Sequence, residues 1–399
     1  MQNNDNTGHN ACFNPLWPCA MVGAASFLAG IKDLGVVING SSGCYYFAEL
    51  AIPDPLSSTF LVQDEIIFGT EERIKEIIDG LSGIYDKFAV INTCVPSLTG
   101  DDITGFLSDY DTLFVDLPGY CGDFDYGYKK AAEAIGITPD AGREGVNIDG
   151  ICSIDPFHAG NLNECRRLLS LAEVPVEAIL SSDSYDSVKN PSDFSITANP
   201  DYAVSGAGHS HSVLGIKNTI RAFEALGELI PQCRPDKVLE EAESAEENII
   251  KACDRFLRKH DPPATAIFAT EGYAGYTAEI FQNYLDANIL YTGLRNNLSP
   301  EDHRPDKIPE YNKKSEDQHN RYRKDYVNDL KTITEILNHE KPDLIIGSSF
   351  ESVKYPKAKF FGITFPSREK ISLHNAPITG IEGELCYIEN ILNILSRKN

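Results

Sequence analysis

Basic residues are scarce in this chain: 35 Lys and Arg stand against 59 Asp and Glu, a net charge of −24. Nucleic-acid binding relies on clustered Lys and Arg, and anionic membrane surfaces attract the same side chains, so neither partner class is expected. No Lys or Arg precedes Lys32, which removes the basic n-region of a secretory leader. A membrane-spanning run is missing too. Leu16–Ile31 is sixteen uncharged residues, short of a span, and contains Pro18, Gly23 and Gly30. It reads as a buried helix closed by the Gly30 region, and the protein is expected in the cytoplasm. No Walker A sequence is present, so the chain is not expected to hydrolyse ATP itself. There is no low-complexity tract and no repeat of solenoid period.

What is present describes an ordinary globular protein, 42% hydrophobic and 24% charged over 399 residues, long enough for two or three domains. The first ten residues are mostly polar and expected to fray. Short apolar runs bounded by turn residues then recur: 34–38, 59–62, 88–91 and 112–115. Such runs are the mark of buried parallel strands. Between them lie helical patterns, most clearly 71–81, with Ile74, Ile77, Ile78 and Leu81 on one face. A further helix is expected to start around Gly100-Asp101-Asp102, where acidic residues complement a helix amino terminus.

The rhythm resumes with strands at 146–151, 176–180 and 203–205 and helices at 161–172 and 216–226. A long charged helix follows at 235–260. A third set has strands at 265–269, 288–291, 344–347 and 360–365, an exposed excursion at 299–326, and a closing amphipathic helix at 382–395. This predicts an α/β chain of three Rossmann-like domains with mainly parallel sheets, divided as 11–143, 144–234 and 235–380, with a carboxyl-terminal helix over 381–399.

Ten cysteines stand at 12, 19, 44, 94, 121, 152, 165, 233, 253 and 386. In a chain of this size some are better read as metal or cluster ligands than as disulfides. Cys19, Cys44 and Cys94 all fall in the first domain, the last two in loops after parallel strands. Parallel sheets present ligand sites at the carboxyl ends of their strands. Gly40 and Gly43, in the turn before Cys44, allow that loop to press close to a bulky group. Three thiolates from separate segments suit an iron–sulfur cluster, and a 4Fe–4S cluster needs four ligands. The fourth could be Cys121, Asp123, Cys12 or a residue of another subunit. Against this stands the common fate of a free cysteine, which is to pack as a small buried hydrophobe.

The segments CAMVGAASFLAGIKDLGVVINGSSGC, FLVQDEIIFGTEERIKEIIDGL and INTCVPSLTGDDI resemble, in that order, the amino-terminal domain of nitrogenase component 1 proteins. Cys19 and Cys44 stand 25 positions apart, as in the β-type chain. Near the carboxyl end, KPDLIIGSSFESV and FFGITFPSREKISLHNAPITGIEGELCYIENIL resemble the closing segment of the β-type subunit. Relatives of that subunit include dark-operative protochlorophyllide reductase and a reductive cyclase of tetrapyrrole coenzyme synthesis. The resemblance implies that Cys19, Cys44 and Cys94 match three cluster cysteines. It places Asp123, in PGYCGDFDYGY, where the nitrogenase P-cluster takes an auxiliary serine; Cys121 is an alternative outside the family pattern. It implies a 4Fe–4S or P-cluster-like cofactor, a nitrogenase-reductase-like iron protein as ATP-dependent electron donor, and an α-type component 1 subunit or a homodimer partner.

The chain also departs from that pattern. It is shorter than the nitrogenase subunits and has no counterpart of the cysteine and histidine that hold the iron–molybdenum cofactor in the α-type chain. His374, in LHNAPITGIEG, aligns with the β-type segment. Dinitrogen reduction by this chain alone is not expected. The function implied is an iron–sulfur subunit of a nitrogenase-like two-component reductase, with a non-catalytic scaffold for metallocluster assembly as its rival.

Three further stretches invite other chemistry. Gly206-Ala207-Gly208-His209-Ser210-His211 lacks the G-x-G-x-x-G spacing and reads as a turn into a helix. Thr270-Glu271-Gly272-Tyr273-Ala274-Gly275 could cradle a phosphate at a helix amino terminus, or form a tight strand–helix turn. Cys152 and His158 follow a strand and face an expected cleft where substrate could bind.

Overall fold

The computed structural model describes residues 14–101, 103–108, 110–204, 208–296, 324–368 and 373–397. Two compact units emerge: 1–29 with 33–135, and 30–32 with 136–399.

The first unit is one four-stranded parallel sheet with spatial order β2-β1-β3-β4. Its strands are β1 (Leu34–Asn39), β2 (Ser57–Ser58), β3 (Lys87–Asn92) and β4 (Thr112–Asp116). All of β1 and all but Lys87 of β3 are buried, as apolar runs in the middle of a parallel sheet must be. At their carboxyl ends, Asn39 and Asn92 pair side by side. Asn39 Nδ2 donates to Asn92 Oδ1 at 2.9 Å and to Thr70 Oγ1 at 3.1 Å, and Thr59 Oγ1 donates to Asn39 Oδ1. This buried polar clasp fixes the chain where the loops leave the sheet.

The apolar amino-terminal helix is α1 (Ala20–Ala29), buried at every residue. It begins later than the sequence suggests, because Pro18 lies before the helix. It crosses α7 (Phe124–Ile135) at two glycines: a Cβ on Gly23 would lie 1.9 Å from Phe124 O, and one on Gly127 would lie 1.8 Å from Ala20 O. Between them run α2 (Ser42–Ala51), α3 (Gln63–Phe68), α4 (Glu71–Leu81), α5 (Cys94–Thr99) and α6 (Thr104–Leu107).

Two local expectations change. The strand expected at 59–62 does not form there: the paired residues are Ser57–Ser58 (β2), and Phe60 takes φ +49° and breaks the ladder, although Thr59 and Leu61 still donate to Ile38 O and Gly40 O. The helix expected from Gly100 instead starts at Cys94 and ends on Gly100 in the left-handed region. Asp101 then caps across the chain, accepting from the Thr70 amide at 2.9 Å and from its hydroxyl.

The second unit carries two parallel sheets, β6-β5-β7-β8 and β11-β10-β9-β12-β13. The first comprises β5 (Val146–Asp149), β6 (Val176–Ile179), β7 (Phe194–Thr197) and β8 (His209–Ser212), with α8 (His158–Leu171), α9 (Tyr185–Lys189) and α10 (Ile216–Leu229). The second comprises β9 (Ala264–Ala269), β10 (Asn288–Leu294), β11 (Lys324–Tyr326), β12 (Leu344–Gly347) and β13 (Lys359–Gly362). Its helices are α12 (Glu271–Leu285), α13 (Leu330–Glu340) and α14 (Ser349–Lys354). The long charged helix is α11 (Asp236–Leu257), and α15 (Gly380–Ser396) closes the chain. Glu164 of α8 accepts from the Ile381 and Glu382 amides, so the start of α15 is pinned to the first of these sheets' helices. Most of the 299–326 excursion, 299–323, lies outside the described residues.

Candidate metal-cluster site

In the first unit the carboxyl ends of three adjacent strands each deliver a cysteine. Cys44 follows β1, Cys94 follows β3 and Cys121 follows β4. The first two sit in the opening turn of helices rather than in open loops: Cys44 is the third residue of α2 and Cys94 the first of α5. Cys19 arrives from the other direction, just before α1, held by an antiparallel bridge to Asp123 and by the Ala20 amide donating to Gly122 O at 3.0 Å.

The sulfurs gather around the loop 117–123. A Cβ placed on Gly119 would lie 3.2 Å from Cys19 Sγ and 3.4 Å from Cys94 Sγ, so only the bare backbone of glycine fits between these thiols without pressing on them. The Gly119 N–H donates to Cys94 Sγ at 3.1 Å, and Ser41 Oγ approaches Cys44 Sγ at 3.8 Å. Burial pushes the Cys19 thiol up; the Val22 and Met21 amides of α1 oppose that, and the nearby Cys94 and Cys44 add to it. Burial, then Cys19, with Asp116 and Cys94 behind them, push Cys121 up to about 12. The four thiols are therefore electrostatic neighbours. Asp123 is buried beside them, and Cys12 lies outside the described residues.

Among the described residues, no three His, Cys, Asp or Glu side chains meet closely enough to hold a single metal ion. A multi-iron cluster asks for something different: soft thiolates spread around a volume, with N–H groups turned toward sulfur. That description fits the gathered thiols, the Gly119 cradle and the N–H to Cys94. Gly119 is the site residue that reasoning on cysteine spacing missed. Its signal was the Pro118-Gly119 turn two residues before Cys121.

The other stretches are occupied differently. His209–Ser212 forms edge strand β8, with His209 stacked on Phe194 at 5.3 Å, while Gly206 and Ala207 lie outside the described residues. At the start of α12 the Gly272 amide donates to Asp201 at 2.9 Å, so a carboxylate of the same chain sits where a phosphate would. Cys152 is buried, and His158 opens α8 with Nδ1 2.8 Å from Asp155 O.

The family model described as nitrogenase component 1 type oxidoreductase matches residues 19–200 and 205–396. The chain belongs to the nitrogenase component 1 family. The nitrogenase iron-iron protein beta chain of Rhodobacter capsulatus is 25% identical, covering 96% of this chain and 93% of that one. A nitrogenase molybdenum-iron protein beta chain of Methanococcus maripaludis is 23% identical over 97% and 95%. The fold agrees with a solved structure titled nitrogenase Cp1 at pH 6.5: TM-score 0.77, 17% identity, 96% of this chain and 93% of that chain. As a component 1 member the chain is an oxidoreductase-type subunit, and iron–sulfur clusters are the cofactors its family implies.

Proposed function

We propose that this chain is the iron–sulfur subunit of a nitrogenase-like two-component reductase, taking electrons from an ATP-dependent nitrogenase-reductase-like iron protein. The observation that carries the reading is the closing of Cys19 and Cys94 on Gly119, with Cys121 and Cys44 as their electrostatic neighbours. Cys19, Cys44 and Cys94 hold the cluster, and Cys121 is the fourth ligand within the chain. Cys121 is preferred to Asp123 because thiolate is the better ligand for iron–sulfur and because Cys19 and Cys94 both act on its charge. When bound, the cluster supplies one-electron storage and transfer.

The protein's own contribution is to turn hydrogen-bond donors toward sulfur. The Gly119 N–H donates to Cys94 Sγ, and the amides opening α1 face Cys19. Cys44 sits in the first turn of α2, with Ser41 Oγ 3.8 Å from its sulfur. The four cysteines are half-buried, and burial raises the cost of charge on Cys19 and Cys121. Beside Cys44, α2 and α3 leave Tyr46, Phe47, Leu50, Ile66, Ile67 and Phe68 exposed. This apolar surface supports a second component 1-type chain, α-type or another copy, as the partner that covers the site.

Anaerobic reconstitution with iron and sulfide tests the reading. Wild-type chain should take up stoichiometric iron with a reducible EPR signal. Cys44→Ala should lose most of that iron, and Cys121→Ser should keep part of it with an altered signal. Full iron and an unchanged spectrum in Cys44→Ala would sink the assignment. Release of the cluster to an acceptor protein, without reductase-dependent substrate turnover, would identify the scaffold instead.

A further inference from the structure

A cavity of about 430 Å³ opens in the second unit at the amino ends of β9, β12 and β13. That volume falls in the range of small-molecule sites. Four separate segments line it: the end of α11 and the residues after it (Phe256, His260, Asp261), the turn before β12 (Lys341, Asp343), the turn before β13 (Tyr355, Lys357) and the end of α15. Three lysines, including Lys359, against Asp261 and Asp343 leave the lining slightly positive in a chain that carries −24 overall.

The lining divides into fixed and available groups. Lys359 Nζ donates to Leu395 O at 2.7 Å and Arg397 O at 2.8 Å, tying the end of α15 to the sheet. Asp343 accepts from the Ala264 amide at 3.2 Å. Lys341 and Lys357 are exposed and enter no ion pair among the described residues. The His260 ring lies parallel to the buried Phe256 ring, centroids 4.4 Å apart and planes 15° apart, with His260 itself exposed. A flat ring backed by a second aromatic is a stacking platform for a base.

We propose that this cavity binds a nucleoside polyphosphate, with its phosphates on Lys341 and Lys357 and its base on the open face of His260. Lysine ammonium groups are point charges suited to phosphate oxygens, and Asp261 is an acceptor for sugar hydroxyls. The proposal does not depend on the cluster reading.

Calorimetric titration of the full chain with ATP, adenosine and tripolyphosphate tests it. ATP should bind more tightly than either fragment. The pair Lys341→Gln and Lys357→Gln should weaken ATP at least tenfold, with the thermal midpoint unchanged, since both side chains lie on the surface. His260→Ala should weaken ATP several-fold and leave tripolyphosphate unaffected. The proposal is overturned by no ATP binding at millimolar concentration, by equal affinity in the lysine variant, or by tripolyphosphate matching ATP.

Discussion

Cys19 and Cys121 are charged only at a cost in the unloaded protein, because burial opposes the thiolate of each and neighbouring cysteines add to the opposition. Both therefore hold their protons near neutral pH, and a cluster must displace them. Iron uptake at limiting iron and sulfide should rise from pH 7 to pH 9, with proton release in weakly buffered solution. The sign for stability is opposite. A thiol pKa raised by folding above its ordinary 9.0 means that the native state holds protons the unfolded chain has lost. The unloaded protein should keep its full stability below about pH 9 and lose some as pH climbs toward 12, while the loaded protein should not. Urea midpoints measured across that range decide it, and a flat profile for the unloaded protein would contradict protonated thiols. At this scale the placement of Cys44 and Cys94 after β1 and β3 was legible, since cysteines following successive apolar runs are a pattern visible along the chain. The Pro118-Gly119 turn marked a bend but not its role, which arises only when two distant sulfurs close on one Cα.

Helices and strands were legible where burial wrote a period into the sequence. Glu71–Leu81 forms α4 as its apolar stripe demands, and the runs in β1, β3, β9 and β12 are strands. Elements without such a signature were missed. Lys324–Tyr326 is a three-residue strand, and β8 is the polar edge sequence His-Ser-His-Ser, which carries no hydrophobic alternation; Phe194–Thr197 does alternate, but over only four residues. The strand expected at 203–205 does not form at Ala203 and Val204, which are irregular; Ser205 lies outside the described residues. The close crossing of α1 and α7 was equally hidden, because glycine in a helix pattern reads as weakness rather than contact. Gly127→Ala would drive a methyl group into Ala20 O and force the helices apart, an overpacking cost of about 1–3 kcal/mol or more. Because Cys19 immediately precedes α1 and Cys121 lies three residues before α7, the same change should lower iron uptake. Gly80→Ala in α4 meets open space and should stabilise by about 0.5–1 kcal/mol. Chemical denaturation of the two variants against wild type makes the comparison, and equal midpoints would rule out a tight crossing.

Across the whole molecule, the acidic surface and the apolar face of the first unit do different work. A net charge of −24 keeps copies apart at long range, so any association must come from a local surface strong enough to overcome it. Phe68 is 85% exposed, Phe47 67% and Ile67 60%, and Tyr45 packs on Phe60 at 5.0 Å to join α2 to the segment before α3. Large apolar side chains so exposed are costly to leave in water, and Phe47 lies in the same helix as Cys44. Whether the natural partner is α-type or a second copy, the isolated chain should associate through this face. Light scattering on the purified chain should give a mass above the 44.0 kDa monomer, more so at high salt, where charge repulsion is screened. Phe47→Asp combined with Phe68→Asp should return it to monomer without shifting the thermal midpoint, because neither side chain is in the core. The same variant should lose reconstituted iron faster on dilution, since its thiols would stay open to solvent. A monomeric wild type at tens of micromolar in high salt, with iron retention equal to that of the double variant, would show that this face covers nothing.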